Sequence, residues 1–154
     1  MTDIVVRVID CHVVYLKDDS PKFLMLKRSA NKLYAGTWQC ITGKIENNEK
    51  PIKTAIRELK EETGLKAINQ WAIDIVNNFY EPNYDRMNLI PVFGVEVESL
   101  SINLSDEHCD YKWCSINEAL ELFTWNQQKK GLQEFYNMLL TSKKKLSLTK
   151  INLN

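Results

Sequence analysis

The chain has 154 residues and a mass of 18.0 kDa, with 44% hydrophobic and 26% charged residues. This composition excludes disordered and fibrous classes and predicts one globular domain. Twenty basic residues balance twenty acidic ones, which excludes a surface-wide attraction to duplex nucleic acid or to an anionic membrane.

We expect neither a membrane span nor an export signal in this sequence. Its apolar runs are shorter than the roughly 18–20 residues that span a bilayer, and residues 1–7 carry an early acid without the pattern of a signal peptide. We therefore expect a cytoplasmic protein. The four cysteines form no CxxC pair, and we expect reduced core thiols at all four positions: Cys11, Cys40, Cys109 and Cys114. A zinc site at His108, Cys109 and Cys114 is the alternative, but it lacks a finger-like spacing.

The N-terminal third is predicted to form β-structure. Residues 4–16 are rich in Val, Ile and Tyr and indicate one strand, and the apolar run at 23–27 indicates a second, buried strand. A brief strand is expected at 38–42, where glycines on both sides supply turns.

Between residues 50 and 63 the periodicity becomes helical. Pro51 suits the first helical position and Gly64 the position just after the end. Lys50 is a poor N-cap, so another acceptor such as Asn48 would have to serve the first N–H groups. The apolar positions repeat at i, i+3, i+4 and i+7 and predict one buried face: Ile52, Ala55, Ile56 and Leu59.

Residues 71–76 and 88–97 then resemble strands, separated by a segment at 77–86 that is predicted to be a surface loop. Capping-box patterns at 115–118 and 124–127 predict two C-terminal helices. Strands with interspersed helices favour a layered α/β fold.

The last residues differ in composition from the rest. Segment 141–154 contains four lysines and no acid, which predicts a frayed basic end, with phosphate binding as the alternative. The single domain would then span residues 1–140.

Three carboxylates share one face of the helix, beside its buried face. Glu58, Glu61 and Glu62 are related by i, i+3 and i+4, and such like-charged pairs each cost about 0.2–0.5 kcal/mol without a compensating cation. Oxygen ligands of this kind suit Mg²⁺ or Mn²⁺. The alternative is a solvated face on which Arg57 and Lys60 pair with the acids.

The segment from residue 43 to residue 65 resembles the Nudix box at every defining position. Trp38 before the box and the region around Trp113 after it are also similar to Nudix proteins. The resemblance implies a Nudix-type α/β/α sandwich with a mixed β-sheet, and hydrolysis of a nucleoside diphosphate linked to another group. The matching residues are Gly43, Glu49, Arg57, Glu58, Leu59, Glu61, Glu62, Gly64 and Leu65.

The resemblance also implies roles for these residues. Glu58, Glu61 and Glu62 would hold one or more divalent cations, Mg²⁺ or Mn²⁺, together with the backbone at Gly43. Glu49 and Arg57 would form an ion pair that orients the loop and the helix. Two departures, Asn47–Asn48 in place of an acid and a glycine and Lys50 in place of a hydroxyl cap, concern the loop and leave the metal ligands intact.

The implied reaction is attack of water on phosphorus, for which a carboxylate accepts the proton. Glu61 or Glu58 is one candidate for this base. The other is Glu107, because its surroundings resemble a later loop from which several Nudix subfamilies bring an extra glutamate to the metals. A plain surface acid is the alternative for Glu107.

Four further residues are candidates for substrate binding. Lys27 and Arg28 end the second predicted strand and would contact phosphates, unless they form a solvated strand end. Trp38 and Tyr80 would stack on a base or pterin ring, unless they belong to the core.

The favoured partner is a small nucleotide-like diphosphate, either a nucleoside triphosphate or dihydroneopterin triphosphate, cleaved to a monophosphate and pyrophosphate. Tyr80 or Tyr84 fits a dinucleoside polyphosphate instead, and Pro82 fits ADP-ribose or a nucleotide sugar. Two other hypotheses are a Nudix domain that senses a nucleotide without cleaving it, and a purely structural helix. A homodimer stays open as an alternative to a monomer.

Overall fold

The computed structural model describes residues 1–153. Within that range, none of the helices has the length and apolar character needed to cross a membrane. The strands are β1 (Asp3–Val5), β2 (Val8–Tyr15), β3 (Lys22–Arg28), β4 (Trp38–Gln39), β5 (Ile41–Lys44), β6 (Asn69–Glu81), β7 (Arg86–Val97) and β8 (His108–Cys114). The helices are α1 (Pro51–Thr63), α2 (Ile116–Leu122), α3 (Asn126–Thr141) and α4 (Lys143–Thr149), with a short 3-10 helix at Pro82–Tyr84.

All eight strands join one mixed sheet. Strand β7 pairs antiparallel with β6 and parallel with both β1 and β2. Strand β2 continues antiparallel to β5 and β3, and β3 pairs antiparallel with β4 and β8. This pairing brings β5, which leads into α1, beside the middle of the sheet.

The two faces of the sheet bury two separate cores. Along β2, Ile9, Cys11 and Val13 pack in the cluster that contains the apolar face of α1. Val14 instead packs on the opposite side with Phe135 of α3. Because side chains alternate along a strand, each face needs its own covering helices. The predicted α/β/α sandwich with a mixed sheet is confirmed.

Helix α1 begins and ends where the sequence predicts. Pro51 is its first residue, and Gly64 follows its end with φ 77° and donates its N–H to the Lys60 carbonyl. Lys50 makes no side-chain cap bond. In the loop before it, Asn48 has φ 63°, a left-handed conformation that asparagine tolerates better than most residues with a Cβ. Asn48 therefore supports the tight turn that precedes α1.

Several predicted elements differ in the structure. Residues 4–16 form two strands, because β1 pairs with the outer part of β7 and β2 with the inner part. The segment at 77–86 is mostly not a loop: β6 and β7 pair up to Glu81 and Arg86. Asn77 explains this extension, since its buried side chain donates a hydrogen bond to Asp10.

In the C-terminal part, one of the two predicted capping boxes is confirmed, and the other box and the tail differ from the prediction. Ser115 and Glu118 cap α2 reciprocally, as predicted. Helix α3 begins instead after Trp125, which makes no side-chain cap bond, so the second predicted box does not form. The tail that the sequence predicts to be frayed contains α4, and Lys150 bridges to Trp71 of β6. Apolar contacts explain why this segment is folded, because Leu146 packs on one core and Ile151 on the other.

The four cysteines are free thiols. Three are buried as predicted, but the prediction of a core position is wrong for Cys109, which is exposed because it bulges from β8 where the pairing with β3 shifts. Its Sγ lies 3.8 Å from the Arg28 carbonyl oxygen. Cys114 packs in the core beneath α3. The structure therefore gives no support to the zinc alternative.

A buried polar group lies between the sheet and α3. The Asp10 carboxylate accepts hydrogen bonds from Asn77 Nδ2 at 2.8 Å and from Gln128 Nε2 at 3.4 Å. Burial raises the pKa of Asp10 to about 6 from its ordinary value of 3.8, although the two hydrogen bonds oppose the shift. Charge on Asp10 is therefore unfavourable to folding.

We expect Asp10→Asn to change how stability depends on pH. Between about pH 4 and about pH 6 the folded state holds a proton on Asp10 that the unfolded chain has released, so the stability from this group falls as pH rises. The variant lacks this group and so lacks this loss. The unfolding free energy of the variant minus that of wild type should therefore increase by on the order of 2 kcal/mol from pH 4 to pH 7. Denaturant unfolding of both proteins at the two pH values measures this, and an equal difference at both would contradict it.

Candidate active site

The carboxylates of α1 differ in exposure because the helix packs against the sheet on one side. Glu62 is only 1% exposed, whereas the side chain of Glu61 is 57% exposed. Glu58 lies between these extremes, and burial raises its pKa against the opposing effect of Arg57. The three acids therefore form a graded row from solvent into the protein.

Gly43 of β5 lies against the Glu58 side chain. A Cβ at residue 43 would lie 2.6 Å from Glu58 Cδ and 2.7 Å from its Oε1, which is closer than non-bonded atoms approach. The missing side chain thus lets the β5 backbone and the Glu58 carboxylate share one small space. A backbone carbonyl and a carboxylate are both suitable ligands for a hard cation.

Arg57, in the middle of α1, is the cation that pairs with these carboxylates. Its Nε and Nη2 donate to the two oxygens of Glu49 at 2.9 and 3.0 Å, and Nη1 donates to Glu58 at 2.8 Å and to Glu61 at 3.2 Å. A further bond of 3.0 Å reaches the Lys44 carbonyl. Hydrogen bonds from Arg57, followed by one from Thr54, lower the pKa of Glu49 to about 2. The Glu49–Arg57 ion pair that the resemblance implies is present in the structure.

The segment that carries Glu107 is attached to the end of α1. The Asn103 N–H donates to the Thr63 carbonyl at 2.9 Å, and the Ser105 N–H donates to the Glu62 carbonyl at 3.3 Å. Helix-terminal carbonyls lack partners within their own helix, so these bonds satisfy both structures at once. Glu107 comes two residues after Ser105, and its side chain lies near Glu62 of α1.

Glu107 also contacts the end of β3. Its carbonyl accepts a 3.0 Å hydrogen bond from the Ser29 N–H, and its carboxylate lies 3.7 Å from Arg28 Nη1. The structure therefore brings Arg28 to the carboxylates.

Glu62, Glu107 and His108 each place one potential ligand atom within 4.8 Å of the other two. Both oxygens of Glu62 are buried without a hydrogen-bond partner among residues 1–153. Burial, followed by the neighbouring Glu107 and Glu58, raises the pKa of Glu62 to about 10. A buried carboxylate without a donor is costly, and a divalent cation would remove that cost. The residues present therefore fit a metal ion.

The remaining substrate candidates are divided between two other places. Lys27 pairs with Trp38 across β3 and β4, and Trp38 packs against the core beneath α2 and α3. Tyr80 lies near the turn between β6 and β7, where its hydroxyl donates to Asp85 at 2.8 Å. Its partner on β7 is Met87, which lies five residues, roughly 15 Å along the strand, before Val92. Val92 pairs with Asp10, the neighbour of Ile9, and Ile9 pairs with Gly43 at the carboxylates. The structure does not bring Tyr80 to the carboxylates.

Sequence reasoning did not place two polar side chains, Gln39 and His108, beside the carboxylates. The buried Gln39 Nε2 lies 3.0 Å from Nε2 of buried His108. Burial, with a smaller effect of Arg28, lowers the pKa of His108 to about 4, so its ring is neutral at neutral pH. The sequence offered one indication of their location, because Gln39 directly follows Trp38 and His108 directly follows Glu107, both candidate site residues.

The comparisons with known proteins agree with this geometry. A family model described as the NUDIX domain matches residues 7–135. Dihydroneopterin triphosphate diphosphatase from Haemophilus influenzae is 33% identical over 136 residues, which cover 80% of this chain and 83% of that protein. The asymmetrical bis(5'-nucleosyl)-tetraphosphatase of Mus musculus is 28% identical over 137 residues, covering 85% and 90%.

Among solved structures, a C. elegans Ap4A hydrolase superposes with a TM-score of 0.72 at 20% identity, covering 88% of this chain and 98% of that one. At this identity the likeness concerns the fold. The family match takes in most of the chain, including β2, the box, α1, Glu107 and most of α3. The chain therefore belongs to the Nudix family, as a pyrophosphohydrolase with a complete box.

Proposed function

We propose that this protein hydrolyses a nucleoside triphosphate or dihydroneopterin triphosphate to a monophosphate and pyrophosphate, with Mg²⁺ as its cofactor. The observation that carries the proposal is the Glu62 carboxylate, which is buried without a partner next to Glu58 and Glu107. Such a group is stable when a cation binds it, and a diphosphate brings the negative charge that a cation neutralises.

The metal ligands in this proposal are Glu58, Glu62 and Glu107, with the Gly43 backbone and with Glu61 at the exposed edge. Nudix hydrolases generally use divalent metal ions. Carboxylate and carbonyl oxygens favour Mg²⁺, with Mn²⁺ as a substitute. A bound cation would lower the pKa of the attacking water and neutralise the phosphates.

A base must accept the proton of that water. Arg57 donates to both Glu58 and Glu61, but the Glu58 side chain is only 12% exposed, whereas those of Glu61 and Glu107 are 57% and 47% exposed. Water reaches the exposed groups, so Glu61 and Glu107 are the stronger candidates for the base. Arg28, next to Glu107, is placed to contact a phosphate.

The preference for a triphosphate rests on the Haemophilus influenzae relative, whose name gives dihydroneopterin triphosphate as its substrate. The mouse relative supports a second candidate, a dinucleoside tetraphosphate, at a lower identity. Both substrates contain the phosphoanhydride that the proposed reaction cleaves. The choice between them is therefore a matter for direct measurement.

We expect Mg²⁺-dependent cleavage of at least one member of a substrate panel. The panel contains nucleoside triphosphates, dihydroneopterin triphosphate, dinucleoside polyphosphates and ADP-ribose, and phosphate release is followed with added pyrophosphatase or phosphatase. Glu61→Gln should lower kcat roughly 100-fold or more if Glu61 is the base, and Glu107→Gln should do so if Glu107 is. Lys53→Gln, an exposed change on the same helix, should match wild type.

One outcome would replace this proposal with a binding function. If every substrate stays intact while a nucleotide still raises the melting temperature, the domain senses the nucleotide without cleaving it. If, in addition, Mg²⁺ fails to stabilise the protein, the carboxylate face is structural.

We also expect Gly43→Ala to impair metal binding. The added methyl would overlap the Glu58 carboxylate and displace it, so the Mg²⁺ concentration for half-maximal activity should rise roughly tenfold or more. Gly36→Ala is the matched control, because its Cβ would meet nothing within 4 Å and its φ of 78° affects only backbone strain. Equal Mg²⁺ dependence in the two variants would contradict the assigned role of Glu58.

A further inference from the structure

The side chains of Gln39 and His108 form a buried hydrogen-bonded pair at the edge of the carboxylate group. Gln39 ends β4 and His108 begins β8, and both strands pair with β3. The two residues are 69 positions apart in the sequence, and their Nε2 atoms are 3.0 Å apart. The pair therefore connects two separate segments where Glu107 enters the sheet.

We propose that Gln39 and His108 are positioning residues for Glu107, and that their pairing holds its carboxylate beside Glu62 for a divalent cation. This inference rests on the metal site of the proposed function. The role differs from that of a ligand, because the pair acts on the cation through Glu107.

The weak direct support of the Glu107 carboxylate is the first argument. It is half exposed, and its ion pair with Arg28 is long, at 3.7 Å. Firmer contacts are made by its backbone, whose carbonyl accepts a 3.0 Å bond from the Ser29 N–H. The direction of the side chain thus depends on how the backbone at 107–108 is fixed, and His108 is the next residue.

An irregularity in strand pairing is the second argument. Lys27 pairs with Asp110 but Arg28 pairs with His108, so Cys109 is an extra residue that bulges from β8. Bulges redirect neighbouring side chains and weaken the local ladder. A side-chain bond just before the bulge compensates for that loss and fixes the strand start.

Burial makes the pair hard to replace. Gln39 is 6% exposed and His108 is 3% exposed, so water cannot take over the bond without rearrangement. With the Gln39 amide nitrogen as the donor, His108 Nε2 accepts and the ring proton lies on Nδ1. One ring nitrogen also lies within 4.8 Å of both Glu62 and Glu107. The imidazole therefore lies beside both carboxylates, and a change in its position would reach Glu107 and Glu62 directly.

The test measures Mn²⁺ binding by electron paramagnetic resonance, without substrate. Gln39→Leu and His108→Phe remove the pairing, whereas His108→Gln keeps an amide that can bond to Gln39. We expect the first two to weaken Mn²⁺ binding roughly tenfold and His108→Gln to remain within about threefold of wild type. Gln128→Leu, which changes a buried glutamine on the other face of the sheet, should leave Mn²⁺ binding unchanged.

Kinetics provide a second measurement for any variant that expresses poorly. In Gln39→Leu the Mg²⁺ concentration for half-maximal activity should rise, while the substrate KM at saturating Mg²⁺ stays within about twofold. A general loss of folding would alter both, and circular dichroism would reveal it.

Three outcomes would overturn the inference. Gln39→Leu and His108→Phe could bind Mn²⁺ as tightly as wild type. Nitrogen coupling in the pulsed spectrum of the wild-type complex would make His108 a direct ligand. Absence of Mn²⁺ binding in wild type would remove the metal site itself and so contradict the proposed function as well, whereas the first two outcomes leave that function intact.

Discussion

The arrangement of the site depends on one guanidinium group. Glu49, Glu58 and Glu61 would repel one another if nothing lay between them, and Arg57 donates to all three. The same group reaches the Lys44 carbonyl. Since its pairing with Glu49 uses two nitrogens in a fixed plane, the loop before α1 has one preferred position relative to the helix.

A second constraint is the burial of Glu62. An acid this deep would normally be replaced by an apolar residue, because desolvation disfavours its charge. Hydrogen bonds to the Glu62 and Thr63 carbonyls attach the segment that carries Glu107. The Glu107 carboxylate is thereby brought close to Glu62 and disfavours its charge further. Arg57 thus neutralises the outer acids, and the buried Glu62 with the half-exposed Glu107 beside it is left for another cation. The electrostatic imbalance is local, since the chain as a whole has no net charge.

The sequence predicts those parts of the fold whose signals are local. Pro51 and Gly64 bound α1 because each suits its backbone position, and Ser115 with Glu118 caps α2. The sequence pattern does not predict β8, because the middle residues of this strand are mostly exposed and show no apolar alternation. It also fails for α4, because lysines suggest solvent while Leu146 makes the contact that orders the helix.

The same distinction applies to the candidate site. The box residues share one helix and one loop, so their spacing alone places them together, as it does for Arg57 and Glu49. Gln39 and His108 meet through the pairing of β4 and β8 with β3, which no spacing in the sequence expresses.

In the proposed metal site, the topology supplies the carboxylates from two separate parts of the fold. Helix α1 supplies Glu58, Glu61 and Glu62 as a rigid row, so their mutual spacing is set by helix geometry. Glu107 directly precedes β8, and its distance from Glu62 is set by packing between elements. Helix geometry tolerates little variation, whereas a strand end with a bulge can shift by small changes in register. Differences in metal affinity within this architecture should therefore arise mainly at Glu107 and its supports, and the box would remain the constant part.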